Sequence, residues 1–165
     1  MDQPENENRM IAPRIRSIEA SHISDLIRIA DETNISHWSA QSYLEEMKNS
    51  DALMLRLVTE DNSTIGFVVG RLVVGGVVET QIEAEIYNIA VTENERRKGC
   101  GQKLFDTFRD ACQHREAANI WLEVRESNQK AISFYEKNGF TRVQTRNYFY
   151  DKPREHALLM KLKLK

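Results

Sequence analysis

Several features that would assign the sequence to a familiar class of protein are missing from it. No run of apolar residues approaches the roughly 18 that a membrane-spanning helix requires, and the polar, acidic residues 1–10 do not form a signal peptide. The net charge is −2 and no basic stretch alternates with aromatic residues, which argues against a general nucleic-acid binder. We therefore expect a cytoplasmic protein whose partners are neither membranes nor nucleic acid.

Cysteine and histidine are also scarce. Cys100 and Cys112 lie twelve residues apart on one predicted helix, which separates them by roughly 18 Å, whereas a disulfide needs Cα atoms within about 7 Å. The 4 histidines have no metal-like spacing to one another or to a cysteine. The sequence therefore predicts neither a disulfide nor a metal site, as in a protein of a reducing compartment.

Apolar periodicity divides the chain into strands and helices. A polar tail over 1–13 is expected to be disordered, and 14–165 to form one domain with a sizeable core. The predicted order is β-α-α-β-β-β-α-β-α-β-β, with Ser21 capping the first helix. This order indicates an α/β (α+β) fold in which about four helices flank a mixed central sheet of about seven strands. A parallel crossover should join the strands that hold Ile86 and Val124.

The most informative segment is 85–105, where a buried strand, a charged turn with two glycines and a helix follow one another directly. The first N–H groups of a helix have no acceptor within it, and the helix dipole adds about half a positive charge there, so phosphate oxygens fit. Gly99 and Gly101 would let the backbone approach a ligand, and 96–98 add positive charge. The spacing matches neither a P-loop nor a dinucleotide fingerprint, yet it predicts a pyrophosphate site.

A second motif lies on the last predicted helix and reads Asn128-x-x-Ala131-x-x-Phe134-Tyr135-x-x-x-Gly139-Phe140. Ala131, Phe134 and Tyr135 share one helix face. Asn128 is a good N-cap, and Gly139 lies where a left-handed C-cap residue belongs. An ordinary amphipathic helix explains this pattern except for the tyrosine, since leucine would pack better there.

Both motifs resemble signatures of the GCN5-related N-acetyltransferase (GNAT) superfamily, the first as Arg96-x-x-Gly99-x-Gly101. The chain is similar to that superfamily from about Arg14 onward, and the order of elements is the superfamily's own. Four further segments look like the ribosomal-protein-alanine N-acetyltransferases of the RimI type: Asn88–Val91, Leu122–Asn128, Arg146–Tyr150 and Ala157–Met160. The resemblance implies the GNAT fold and acetyl-CoA as cosubstrate.

The resemblance also assigns roles to individual residues. Glu123 is implied as the general base, working through water, and Tyr135 as the acid that protonates the coenzyme A sulfur; a solvent-facing glutamate and a core tyrosine are the alternatives. Glu85 is the reserve base. The residues implied to bind the cofactor are Ile89, Ala90 and Val91 at the pantetheine, Arg97, Lys98, Gly99, Cys100, Gly101 and Gln102 at the pyrophosphate, and Asn128, for which helix capping alone is an equal explanation.

The acceptor is implied to be the N-terminal α-amino group of a protein, such as the alanine of a ribosomal protein. Its expected contacts are Glu85, Tyr148 and Tyr150, the tyrosines lying on a loop between the last two strands. Phe149 interrupts the usual pair of tyrosines, so both hydroxyls stay candidates. Lysine side chains and small amines are alternative acceptors. A non-catalytic acetyl-CoA-binding module is the alternative from another class, although it would be expected to lack Glu123 and Tyr135.

Overall fold

A seven-stranded sheet forms the centre of the protein in a computed structural model that describes residues 11–35, 38–75 and 80–164. The strands are β1 (Arg14–Ser17), β2 (Ala52–Val58), β3 (Thr64–Val74), β4 (Ile82–Val91), β5 (Asn119–Arg125), β6 (Thr141–Asp151) and β7 (Arg154–Lys163), and the helices are α1 (Ile23–Thr33), α2 (Ala40–Met47), α3 (Cys100–His114) and α4 (Gln129–Lys137). The predicted order of elements and fold class are confirmed. Within the described ranges, no helix is long and apolar enough to cross a membrane.

The sheet has the order β1-β2-β3-β4-β5-β7-β6. Neighbouring strands are antiparallel except β4 and β5, which are parallel and joined through α3, so the predicted crossover is also confirmed. β7, although it comes last in the chain, lies between β5 and β6. The hairpin of β6 and β7 is thereby attached to β5.

The helices cover both faces of the sheet. On one face, the apolar stripe of α3 buries Leu104, Phe105 and Phe108 completely against β2, β3 and β4. On the other face, Leu26 of α1 and Tyr43 of α2 belong to a second buried cluster. Each fully buried side chain of this size contributes about 1.5–3 kcal/mol. The sheet therefore lies between two apolar cores, one on each face.

β4 and β5 pair over only part of their length. Their register runs from Glu83 opposite Asn119 to Ile86 opposite Leu122, and the pairing ends there. Beyond this point the edge of β4 that faces β5 has no partner strand within the described residues, while its other edge stays paired with β3. The two strands therefore part and leave a gap.

A β-bulge accompanies the parting of the strands. On β3, Val69 lies opposite Asn88 and Gly70 lies opposite Ile86, so Tyr87 is the extra residue of β4. Such a bulge shifts the alternation of side chains along the strand. Ile86 before the bulge and Ile89 after it both contribute to the core beneath α3. Tyr87 and Asn88 therefore both face the side of α1 and α2.

The predicted helix cap at Ser21 is wrong. Residues Ala20–His22 form a single 3₁₀ turn, and α1 begins only at Ile23, with His22 at the N-cap position. Ser21 lies inside that turn. Of the predicted disordered tail, residues 1–10 lie outside the described ranges, and residues 11–13 have no regular secondary structure.

The predicted loop between the last two strands is also wrong. Arg146 pairs with Ala157 and Tyr150 pairs with Glu155, so β6 continues through the aromatic segment to Asp151. Three residues of β6 lie opposite one residue of β7 at this point. The segment is thus a wide bulge within an edge strand, and residues before and after it along the chain pair with β7.

Candidate active site

A groove of about 860 Å³ opens on the side of the sheet that carries α1 and α2. β4 and β5 form its floor, and β6 and the segment before α2 form its walls. The polar and aromatic side chains of its lining include Trp38, Glu83, Glu85, Tyr87, Trp121, Glu123, Arg146, Phe149 and Tyr150. We refer to this cavity as the groove.

A smaller cavity of about 90 Å³ lies where β4 and β5 part, and we refer to it as the gap cavity. Its lining includes Asn88, Ile89, Asn128 and Tyr135. It also includes Tyr87, Glu123 and Tyr150, which line the groove as well. These three shared residues separate the two cavities, so a group in the gap cavity would meet a group from the groove beside Glu123.

Glu123 is the carboxylate at this junction. Leu122 and Val124 point into the core beneath α3, so the strand alternation turns Glu123 to the opposite face. Its side chain is 24% exposed, and Oε1 lies 2.5 Å from Nη1 of Arg146. Burial and the nearby Glu85 raise the pKa of Glu123, while Arg146 opposes that rise. The result is a paired carboxylate whose affinity for a proton is above its ordinary value.

Tyr135 contributes a buried phenol to the gap cavity. It is 7% exposed, and its ring lies 5.5 Å from that of Phe140. Burial, aided by Tyr150, raises the pKa of Tyr135 above its ordinary value, so the phenol keeps its proton at neutral pH. α4, which holds it, begins with the side chain of Asn128 accepting from the N–H of Ala131 at 3.2 Å, and this confirms the predicted cap.

The start of α3 has the properties of an anion site. Gly99 occupies the N-cap position with φ of 80°, and no side chain caps the helix. The amide of Lys103 donates to the Gly99 carbonyl at 3.0 Å, so the earlier N–H groups, those of 100–102, have no acceptor within the helix. A Cβ on Gly101 would meet nothing closer than a Val91 methyl group at 4.0 Å. A pyrophosphate therefore fits against this open backbone.

The side chains near the start of α3 are mostly engaged elsewhere. Lys98 forms an ion pair with Glu95 at 3.2 Å. Cys100 is buried, and burial raises the pKa of its thiol. The side chain of Gln102 exchanges hydrogen bonds with that of Asn138 at 2.7 and 3.1 Å, which ties α3 to α4. Backbone N–H groups, together with the exposed Arg97, are thus the parts free to hold an anion.

The three predicted pantetheine contacts lie along the unpaired edge of β4. Ile89 lines the gap cavity. Ala90 and Val91 are buried, so they can offer only backbone groups. An extended ligand could add to this edge as a strand would.

The structure brings Tyr150 to the cavities but not Tyr148. The guanidinium of Arg125 lies 4.1 Å from the centre of the Tyr150 ring and holds it beside Glu123. Tyr148 has φ of 53°, is 59% exposed, and its ring centre lies 4.6 Å from that of His156. Phe149 lines the groove in its stead, because the bulge changes which aromatic side chains point inward.

Sequence reasoning missed three residues of the site. Arg146 was expected only as part of an aromatic loop, and its pairing with Glu123 depends on the extension of β6. Trp38 forms a wall of the groove and lies 5.3 Å from the Tyr87 ring. Asn88 was read only as part of a family motif. Among the described residues, no group of three His, Cys, Asp or Glu side chains is arranged to hold a metal.

Comparison with known proteins identifies the family. The model of the acetyltransferase (GNAT) family matches residues 23–140. The chain belongs to the GNAT family. It is accordingly an N-acetyltransferase that uses acetyl-CoA, and the resemblance inferred from the two sequence motifs is confirmed.

Individual members of the family cover nearly the whole chain. The ribosomal protein bS18-alanine N-acetyltransferase of Haemophilus influenzae is 33% identical over 149 residues, which are 88% of this chain and 95% of that protein. The crystal structure of the ribosomal-protein-S18-alanine N-acetyltransferase from Escherichia coli has a TM-score of 0.80 at 28% identity and covers 93% of this chain and 94% of that one. Arabidopsis thaliana NAA60 in complex with acetyl-CoA shares the fold, with a TM-score of 0.83 at 17% identity over 93% of this chain and 99% of that one.

Proposed function

We propose that this acetyltransferase acetylates the N-terminal α-amino group of a protein, and that the acceptor is an N-terminal alanine of a ribosomal protein. The observation that carries the proposal is the junction at Glu123, where a carboxylate and a buried phenol, Tyr135, border one small cavity that shares three lining residues with the large groove. The names of the bacterial relatives support the choice of acceptor.

Acetyl-CoA would lie across the unpaired edge of β4. The N–H groups of 100–102, with Arg97 and Lys98 nearby, would hold the pyrophosphate, and the backbone of Ile89–Val91 would pair with the pantetheine amides. Asn128 borders the gap cavity and could contact the cofactor while it caps α4. The cosubstrate supplies an activated acetyl thioester, which this arrangement directs into the gap cavity.

The side chains of the gap cavity would move two protons. Glu123, directly or through water, accepts the proton that the acceptor amine loses as its nitrogen bonds to the acetyl carbon. Tyr135 donates its proton to the sulfur as the carbon–sulfur bond breaks. The raised pKa of Glu123 means that the carboxylate binds a proton more readily, and the raised pKa of Tyr135 keeps the phenol protonated until the sulfur departs. Glu85 is the alternative base on the neighbouring strand.

The groove favours a peptide over a small amine. Its volume of about 860 Å³ lies near the upper end of the roughly 300–1,000 Å³ that accommodates a drug-sized ligand. Glu85 and Tyr150 on its lining would contact the first residues of the acceptor, while Tyr148 lies outside both cavities. An amine much smaller than a peptide would leave most of this lining without a contact.

Peptides with matched sequences test the acceptor. Each peptide would start with alanine and carry one internal lysine, and would be prepared with a free or a formylated N-terminus. Mass spectrometry after incubation with acetyl-CoA should place one acetyl group on the free N-terminus and none on the blocked peptide. Acetylation of the lysine in both peptides would reject the proposed acceptor. Tight binding of acetyl-CoA without transfer to any peptide or small amine would reject the proposed chemistry.

A further inference from the structure

Asn88 carries a polar group that the fold itself does not use. It is 4% exposed and lines the gap cavity. Within the described parts of the chain, its Nδ2 is one of two fully buried side-chain nitrogen or oxygen atoms without a hydrogen-bond partner, and the other is the hydroxyl of Tyr43. A buried donor left without an acceptor costs about 1–3 kcal/mol. Stability alone therefore does not account for an asparagine at this position.

The bulge of β4 determines where this amide lies. Without the extra residue at Tyr87, the alternation along β4 would have turned position 88 into the core beneath α3. With it, Asn88 faces the side of α1 and α2, directly where β5 has parted from β4 and the gap cavity begins. Ala90, the next residue on this face, belongs to an apolar cluster. Asn88 is thus a single polar side chain brought to the gap by a local backbone feature.

The chemistry of an amide N–H restricts what it can meet there. It needs an acceptor, whereas an ammonium is only a donor and a thioether-like sulfur accepts weakly. Of the reacting groups, the acetyl carbonyl oxygen accepts well and gains negative charge as the amine attacks. A peptide carbonyl of the acceptor could also accept, but Asn88 lines the gap cavity and does not line the groove.

We propose that the side-chain N–H of Asn88 donates a hydrogen bond to the carbonyl oxygen of the acetyl thioester in the gap cavity, and that this bond strengthens as negative charge develops on that oxygen. The inference rests on the proposed function for the position of the thioester. The side chain of Asn88 would thus bind the cosubstrate in addition to the backbone groups of β4 that are proposed to pair with the pantetheine. Removal of one such donor from an acyl-transfer site typically lowers the turnover rate by about 10²–10³-fold.

Infrared spectroscopy tests the bond without an acceptor. A hydrogen bond donated to a carbonyl oxygen lowers the carbonyl stretching frequency. With acetyl-CoA labelled at the carbonyl carbon, the parent protein should shift the band of the bound thioester below that of the free one. In Asn88→Leu, which keeps a similar volume and has no donor, the band should return toward the free value. An equal band position in the two proteins would overturn the proposal.

Steady-state kinetics distinguish a hydrogen bond from Asn88 to the acetyl group from one to the acceptor peptide. Asn88→Leu and the isosteric Asn88→Asp should both lower kcat by about 10²–10³-fold while the KM for the peptide stays the same. A raised peptide KM with an unchanged kcat would instead assign the amide to the acceptor and overturn the proposal. If the leucine variant does not fold, the infrared band and the kinetics are measured on Asn88→Asp instead.

Tyr43→Phe is the matched control, because it removes the other unpartnered buried group, which belongs to α2 and lines neither cavity. It should leave the infrared band and kcat at the parent values. A loss of kcat in this variant equal to that in Asn88→Leu would show a general packing effect and overturn the proposal. A parent protein that shifts the infrared band but transfers acetyl to no amine would refute the proposed function and leave the hydrogen bond of Asn88 in place.

Discussion

A glutamate in the paired half of β4 and β5 and a glutamate in their parted half have different surroundings. In the paired half, Glu83 accepts hydrogen bonds from Nδ2 of Asn119 at 3.0 Å and from the indole N–H of Trp121, so both carboxylate oxygens are engaged within the sheet. In the parted half, the carboxylate of Glu123 pairs with Arg146 of β6 and borders two cavities. The separation of the strands therefore distinguishes a structural carboxylate from one that is available for chemistry.

Replacing the two carboxylates gives the largest expected contrast. Glu123→Gln removes the proton acceptor and should lower kcat by about 10²–10⁴-fold, while affinity for acetyl-CoA stays the same because no phosphate contact changes. Glu83→Gln should lower the thermal midpoint, since it weakens the bonds to Trp121 and Asn119, with a much smaller effect on kcat. Steady-state assays measure kcat, and scanning calorimetry measures the thermal midpoint of each variant. An unchanged rate in Glu123→Gln would transfer the role of base to Glu85 or to solvent.

The next contrast concerns the helices that follow the two strands. α3 begins with open backbone N–H groups, whereas α4 begins with a side-chain cap. Gly101→Val would fill the space against the second residue of α3 and should raise the KM for acetyl-CoA by about tenfold, about 1.4 kcal/mol of binding free energy. Lys130→Val changes the corresponding second residue of α4 and is the control. Equal KM values in the two variants would contradict the anion site.

Arg146→Ala should change the pH dependence of kcat/KM through the pKa of Glu123 in the parted half. Burial and Glu85 raise the pKa of Glu123 while Arg146 lowers it, and Tyr150 of β6 faces the same carboxylate. Loss of the guanidinium should raise that pKa further. Because the base acts when deprotonated, the acidic limb of the kcat/KM profile should move to higher pH, with recovery of the rate above that limb. Arg146→Lys should restore part of the shift, and an unmoved limb in Arg146→Ala would exclude Arg146 as a partner of the reacting carboxylate.

The smallest expected effect is at the cap of α4. Asn128→Ala should cost about 1 kcal/mol of unfolding free energy, because the amide of Ala131 loses its acceptor. Asn128→Ser keeps a capping oxygen and should restore most of that stability. Thermal melts measure the cap, and the KM for acetyl-CoA in the serine variant measures any cofactor contact. A serine variant as unstable as the alanine variant would contradict the role of the cap.

Much of the fold could be predicted because its signals are local. Helical and strand periodicity gave the order of elements, and Asn128 and Gly139 mark the ends of α4 as expected, the latter with φ of 90°. α3 begins at Cys100, within the segment 85–105 where the sequence predicts a helix after the glycine turn. Ser21 failed as a cap because a 3₁₀ turn, which has no distinctive spacing, precedes α1. Local chemistry thus predicts element order better than element boundaries.

The details of the candidate site depend on two bulges that no spacing revealed. The bulge at Tyr87 turns Asn88 toward the gap cavity, and the wide bulge in β6 turns Tyr148 outward while Phe149 faces the groove. The bulge in β4 shifts the alternation of side chains, so a period of two read from the sequence gives the wrong face beyond it. The bulge in β6 changes only residues 147–149, because Arg146 and Tyr150 on either side of it both line the groove. The partnership of Arg146 with Glu123 was invisible for a different reason, because it requires β6 to continue through a segment that was predicted to be a loop.

The interior position of β7 has a consequence for how the enzyme comes to be active. Synthesis proceeds from the amino end, so the first six strands leave the ribosome before β7 does. Until β7 inserts between its neighbours, no other strand of the described residues connects β6 to β5, and Glu123 lacks its guanidinium partner. The ion pair of Glu123 and Arg146 is therefore completed only when the strand that follows both residues in the chain takes its place in the sheet.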